Sequence, residues 1–183
     1  MKKGKTYNLA TINLVMWVFI ISGLILISSF TDISSKRDSD TIQWSHDYKL
    51  KISDFTQMNY IDGNIPANAS TGIFMSYSRK LERYKAVAIF DKKRSGWNTR
   101  LIKHPDWVLN HEQRHFDITQ FIVNELNKEL SVVPYSMSQE LFYKYEHKLD
   151  SMQVLYDTQT MHSMDSTYQD FWNKKIDYLL YTN

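Results

Sequence analysis

Residues 111–115 read His-Glu-Gln-Arg-His, an H-E-x-x-H pentad. On a helix, positions i and i+4 share one face, so His111 and His115 can present two imidazoles to one metal ion. Glu112, beside the first histidine, is placed to hold an activated water and take its proton. The chemistry suggested is zinc-assisted hydrolysis. His111, His115, Ile118, Ile122 and Leu126 recur at spacings of 4, 3, 4 and 4. The proposed ligand face therefore runs into an apolar, core-facing stripe, where a solvated charged helix would not put two histidines. Asp117 follows His115 by two, points away from that face, and reads as a partner for another helix or loop.

A zinc site needs a third protein donor. The chain offers His162, Asp157, His147, His104 and His46. The stretch Tyr156-Asp157-Thr158-Gln159-Thr160-Met161-His162 is the most suggestive. On one continuous helix Asp157 and His162 point about 140° apart, so both reach one ion only if the helix breaks between them. Periodicity does not choose between them. His147, between Glu146 and Lys148, reads as solvent-facing, and His104, before Pro105, as a loop residue or helix-entry cap.

These residues must be held by elements. Residues 106–130 contain no Gly or Pro and suit one long helix. A second fits 138–161, with Phe142, Tyr145, Leu149, Met152 and Tyr156 as its apolar stripe. A third fits 165–180, with Phe171, Trp172, Ile176 and Leu179. Upstream, residues 42–55 read as one or two short strands, 56–72 as mostly loop, and 72–77 and 84–90 as strands joined to a basic turn, Lys92–Gly96. Strands first and helices later indicate an α+β fold.

The chain has 183 residues, 14% of them aromatic, 5 Gly, 3 Pro and no Cys. A disulfide framework and a Cys-based zinc site are excluded, as is a low-complexity chain. Of the 22 basic residues, three lie in residues 1–30, which hold no acid. The rest carries 19 bases against 20 acids, with no basic footprint for nucleic acid. Lys2, Lys3 and Lys5 precede an apolar run, Leu9 to Phe30, interrupted by Thr11, Asn13, Ser22, Ser28 and Ser29 and long enough for a bilayer of about 30 Å. It reads as a signal anchor or a cleaved signal peptide. The expectation is a single-pass membrane protein with its N-terminus inside and its domain outside, or a secreted or periplasmic one. Residues 31–41 read as a linker and 42–183 as the domain.

Asn110 to Ile118 resembles the N-H-E-x-x-H-F-D-I signature of a bacterial domain family of unknown function, described as predicted secreted zinc-dependent proteases of the zincin kind. Other segments fit in order. Trp44 and Ser53-Asp54-Phe55 resemble its N-terminal strands, Ala69–Ile73 its A-x-T-x-x-I segment, and Ser95-Gly96-Trp97 an S-W element with Gly96 inserted. Tyr156 to His162 resembles Y-D-x-x-T-x-H-G, with Ser163 in place of the final Gly, and Gln169 to Trp172 a Q-x-x-W element. Together these cover residues 42–180. The resemblance implies a zincin-like domain: a small mixed or antiparallel sheet packed on the H-E-x-x-H helix and C-terminal helices. It implies a Zn²⁺ cofactor, a peptide or protein substrate, and possible strand addition at residues 86–90. The expected site has His111, His115 and His162 as ligands and Glu112 as general base, with Asp157 orienting a ligating histidine or serving as the alternative ligand, and Tyr156 either donating its hydroxyl to the oxyanion or packing in the core. The competing expectations are a zinc-containing envelope binding module without turnover and a zinc amidase acting on cell-wall peptides.

Overall fold

The computed structural model describes residues 40–59 and 65–182. Strand β5 (Arg83–Asp91) alternates cleanly, with Ala86, Ala88 and Phe90 turned inward. It pairs antiparallel with β4 (Thr71–Ser78) on one side and with β1 (Thr41–Gln43) on the other, giving the order β1-β5-β4. In this register Ile73 lies opposite Ala88 and Thr71 opposite Phe90. A smaller sheet joins β2 (Gln57–Met58), β6 (Gly96–Trp97) and β3 (Ala67–Asn68), with β6 central, parallel to β2 and antiparallel to β3. Three helices follow: α1 (Pro105–Leu130), α2 (Ser138–Thr160) and α3 (Ser166–Tyr181). The architecture is α+β.

Helix α1 packs on β5 and β4 and also on α2 and α3. That sandwiched position explains its burial. From His111 to Thr119 only Arg114 escapes full burial, so the face opposite the sheet meets helices instead of water. Ile118, Ile122 and Leu126 are all fully buried, as their spacing predicts. The aromatic core on the sheet side is Phe55, Phe90, Phe116 and Trp97, with Phe55 edge-on to Phe90 at 5.2 Å. Trp172 and Ile176 close the helical side.

Several sequence expectations are corrected. Residues 42–55 do not continue as strand past Gln43. Ile52–Asp54 is a 3-10 turn, because the Asp54 carboxylate accepts the Lys51 N–H and the Tyr48 hydroxyl, each at 2.8 Å, and closes the chain locally. Strand β1 begins at Thr41, inside the stretch read as linker. β5 has β4 along one side, while on the other β1 covers residues 89–91 and Trp44 and the Asn127 amide take the backbone groups of Ala88 and Ala86, so residues 86–90 offer no free edge for an added strand. In that sheet the edge strands are β4 and β1.

The membrane expectation is corrected as well. Among the described residues no helix is long and apolar enough to cross a membrane. Helix α1 has the length but carries Glu112, Arg114, Asp117, Glu125, Lys128 and Glu129. The single-pass arrangement is therefore not supported by the helices described. The apolar run Leu9 to Phe30 lies outside the described residues.

The end of α2 decides the layout of the site. The helix stops at Thr160, and Met161, His162 and Ser163 all take positive φ, at 50°, 51° and 73°. The Met161 and His162 N–H groups both return to the Asp157 carbonyl, so the turn satisfies backbone groups the helix leaves open. No glycine relieves this left-handed run, which is costly for residues with a Cβ. Ser163→Gly is expected to raise unfolding stability by about 0.5–1 kcal/mol, the released strain exceeding the extra freedom of the unfolded chain. A shift of the urea midpoint to higher concentration at constant m-value would establish this; a lower midpoint would show the turn to be unstrained.

Candidate metal centre

Helix α1 delivers both histidines on one face, and α2 brings Asp157 against them. His111 Nε2 lies 3.1 Å from Asp157 Oδ1, His115 Nε2 lies 2.9 Å from the same oxygen, and the two Nε2 atoms are 3.2 Å apart. His111, His115 and Asp157 thus offer ligand atoms that all lie within 4.8 Å of one another. Both histidines are buried and Asp157 is partly buried.

The other ring nitrogens are occupied. His111 Nδ1 meets Gln169 Oε1 at 2.9 Å, and His115 Nδ1 meets Gln153 Oε1. The Gln153 amide is oriented by its own nitrogen, which donates to the His115 carbonyl at 3.1 Å. An amide oxygen only accepts, so each Nδ1 donates its proton there and each Nε2 is the atom that faces Asp157. Two Nε2 atoms and a carboxylate oxygen then meet at one point at hydrogen-bond distance. Such crowding calls for a cation or a shared proton between them, and two imidazoles with one carboxylate are a donor set that suits a divalent transition metal.

The protonation chemistry follows from the same crowding. Burial would lower the His115 pKa, but its hydrogen bond to Asp157 and the charges of Glu112 and Asp157 outweigh it and raise the value to about 9. Burial acts on Asp157 in the opposite sense, yet its hydrogen bonds to His111 and His115 hold it well below the usual carboxylate range. A metal entering the site must displace the His115 proton, whereas Asp157 is already ionised. Affinity for Zn²⁺ should therefore rise by close to tenfold per pH unit as the pH climbs toward 9 and level off above it. Competition with a chromophoric chelator across that range measures this; a flat profile would contradict it.

Glu112 faces the same cavity, about 240 Å³ and also lined by His111, His115, Gln153, Asp157 and His162. One of its oxygens accepts the Ala69 N–H at 2.7 Å. The segment Ala67–Thr71 that leads from β3 into β4 thus walls the site and fixes the carboxylate. Thr71 Oγ1 is tied to Thr119 and Gln153, which binds this wall to both helices.

His162 lies at the rim with its side chain half exposed and Nδ1 3.5 Å from Asp157 Oδ1. The helix break between Asp157 and His162 does occur, yet the tight donor cluster is completed by Asp157. Tyr156 is fully buried and does not line the cavity. Its ring stacks on His111 at 4.6 Å, and its hydroxyl donates to the His111 carbonyl or to Gln169. Burial pushes this phenol far above its ordinary value, with the charges of Glu112 and Asp157 adding to the rise. Tyr156 therefore supports the histidine pair from behind. Asp117 accepts Trp44 Nε1 at 2.8 Å and Gln113 Nε2 at 2.9 Å, away from the donors. His147 and His46 are exposed, and His104 is the N-cap residue of α1.

Two orienting groups were not legible as such. Gln153 sits four residues before Asp157 and shares its helix face, a signal available in the sequence. Gln169 stands in the Q-x-x-W element, but nothing in the spacing ties it to His111.

No known family model, curated protein or solved structure matches this chain. The functional reading therefore rests on the geometry of the centre itself.

Proposed function

We propose that the protein is a zinc-dependent metallopeptidase in which His111, His115 and Asp157 hold the ion and Glu112 is the general base. The observation that carries this reading is the convergence of two Nε2 atoms and a carboxylate oxygen within 4.8 Å, with Glu112 on the same cavity wall. When bound, zinc would supply Lewis acidity, lowering the pKa of a water and polarising a carbonyl. The chain's own residues supply the remainder. Gln169 and Gln153 hold the imidazoles in the tautomer that ligates. Glu112 has one oxygen fixed by Ala69, and its carboxylate takes the proton of the attacking water and returns it to the leaving amine. His162, at the rim, would hydrogen-bond a substrate carbonyl.

The test is metal content beside turnover. One zinc per chain is expected, with hydrolysis of a mixed peptide library that a chelator abolishes and added Zn²⁺ restores. Iron in place of zinc would redirect the reading to oxygen chemistry on the same donor set. Zinc without hydrolysis would leave a metal-containing binding module, and no metal in the folded protein would overturn the reading.

A further inference from the structure

Beside the metal cavity lies a larger cleft of about 880 Å³, between the start of α1, the loop after β6 and the turn after α2. Its apolar walls include Pro66, Leu101, Ile102, Trp107, Val108 and Met164. Two backbone segments serve both cavities. Ile65 and Ala67 line the metal cavity while Pro66, between them, lines the larger cleft. His162 lines the first and Ser163 the second. The shared partition is anchored, since Trp107 Nε1 donates to the Ser163 carbonyl at 2.6 Å. On the wall of the larger cleft, Leu101 (42%) and Met164 (74%) remain exposed, leaving apolar surface for a ligand to cover.

We infer that this cleft is a side-chain subsite of the same centre and receives a bulky apolar residue, aromatic or branched aliphatic, next to the scissile bond of a peptide. The inference rests on the metallopeptidase reading. A ligand reaching both cavities must be polar at the donors and apolar one step away, and a peptide with an apolar side chain has that arrangement. A sugar or a highly charged peptide does not. Lys103 and Asp106 both border the cleft, so their charges oppose one another and select neither sign. The volume exceeds that of one side chain, so two adjacent apolar residues also fit.

Binding tests this without turnover. Acetohydroxamate, 3-phenylpropanohydroxamate and a polar succinamic hydroxamate of similar length are titrated calorimetrically into the zinc-loaded protein. The phenyl compound is expected to bind at least tenfold more tightly than acetohydroxamate, and the polar one with no such gain. Met164→Asp and Ser166→Phe both alter exposed cleft residues. They should each remove the phenyl gain while leaving acetohydroxamate affinity unchanged. Zinc-dependent binding with no phenyl gain, or a gain that survives both variants, overturns the subsite alone. Absence of any zinc-dependent hydroxamate binding overturns the metallopeptidase reading and the subsite with it.

Discussion

Glu112→Gln is expected to lower kcat for peptide hydrolysis by about a thousandfold, within the range ascribed to a lost general base, while the protein still holds one zinc per chain. The argument separates two jobs of one side chain. Its structural job is to accept the Ala69 N–H at 2.7 Å, which the amide oxygen of Gln can still do. Its proposed chemical job is to take a proton, which a neutral amide cannot do. The replacement nearly conserves volume at a residue only 2% exposed, so the fold should survive. Matching circular dichroism and zinc content alongside the rate loss would establish the assignment. A variant with near wild-type turnover would remove Glu112 from the mechanism.

Asp157→Ala is expected to weaken zinc binding by at least a hundredfold, whereas His162→Ala should retain the ion. Asp157 supplies the only carboxylate of the candidate donor cluster, and its oxygen lies 3.1 and 2.9 Å from the two Nε2 atoms. Its removal leaves two imidazoles, fewer than a zinc site requires. His162 stands outside this cluster, half exposed, and its loss leaves all three donors in place. Metal analysis after dialysis against a weak chelator distinguishes the two variants. Zinc lost from His162→Ala and kept by Asp157→Ala would restore the three-histidine arrangement.

The fate of these two residues shows where sequence reasoning was strong and where it stopped. The helices were legible because their interiors lack Gly and Pro and repeat their apolar residues at helical spacing. Pro105 and Leu130 bound α1 within a residue of expectation. The pairing of His111 with His115 followed from helix geometry alone. The choice of Asp157 over His162 for the tight cluster did not, because it depends on where α2 ends. Thr160-Met161-His162-Ser163 contains no glycine to announce a left-handed stop, yet the backbone turns there at three consecutive residues. The strands were read less well. Leu50 and Ile52 look extended by pattern, but Asp54 closes a local turn around them, and strand order, which put β5 in the centre of its sheet, depends on pairing between distant segments.

The donors of the centre lie on two helices and are separated by as much as 46 residues of chain, in a protein with no cysteine to tie those helices together. Side-chain packing and hydrogen bonds such as that from Gln153 Nε2 to the His115 carbonyl keep α2 on α1. A partly folded chain with every helix intact but α2 undocked would scatter the donors and release its ion, and a fragment comprising α1 alone could offer only two of the three. On the proposed reading, retention of a metal would double as a certificate of finished folding, since the three donors meet only once α2 is docked on α1.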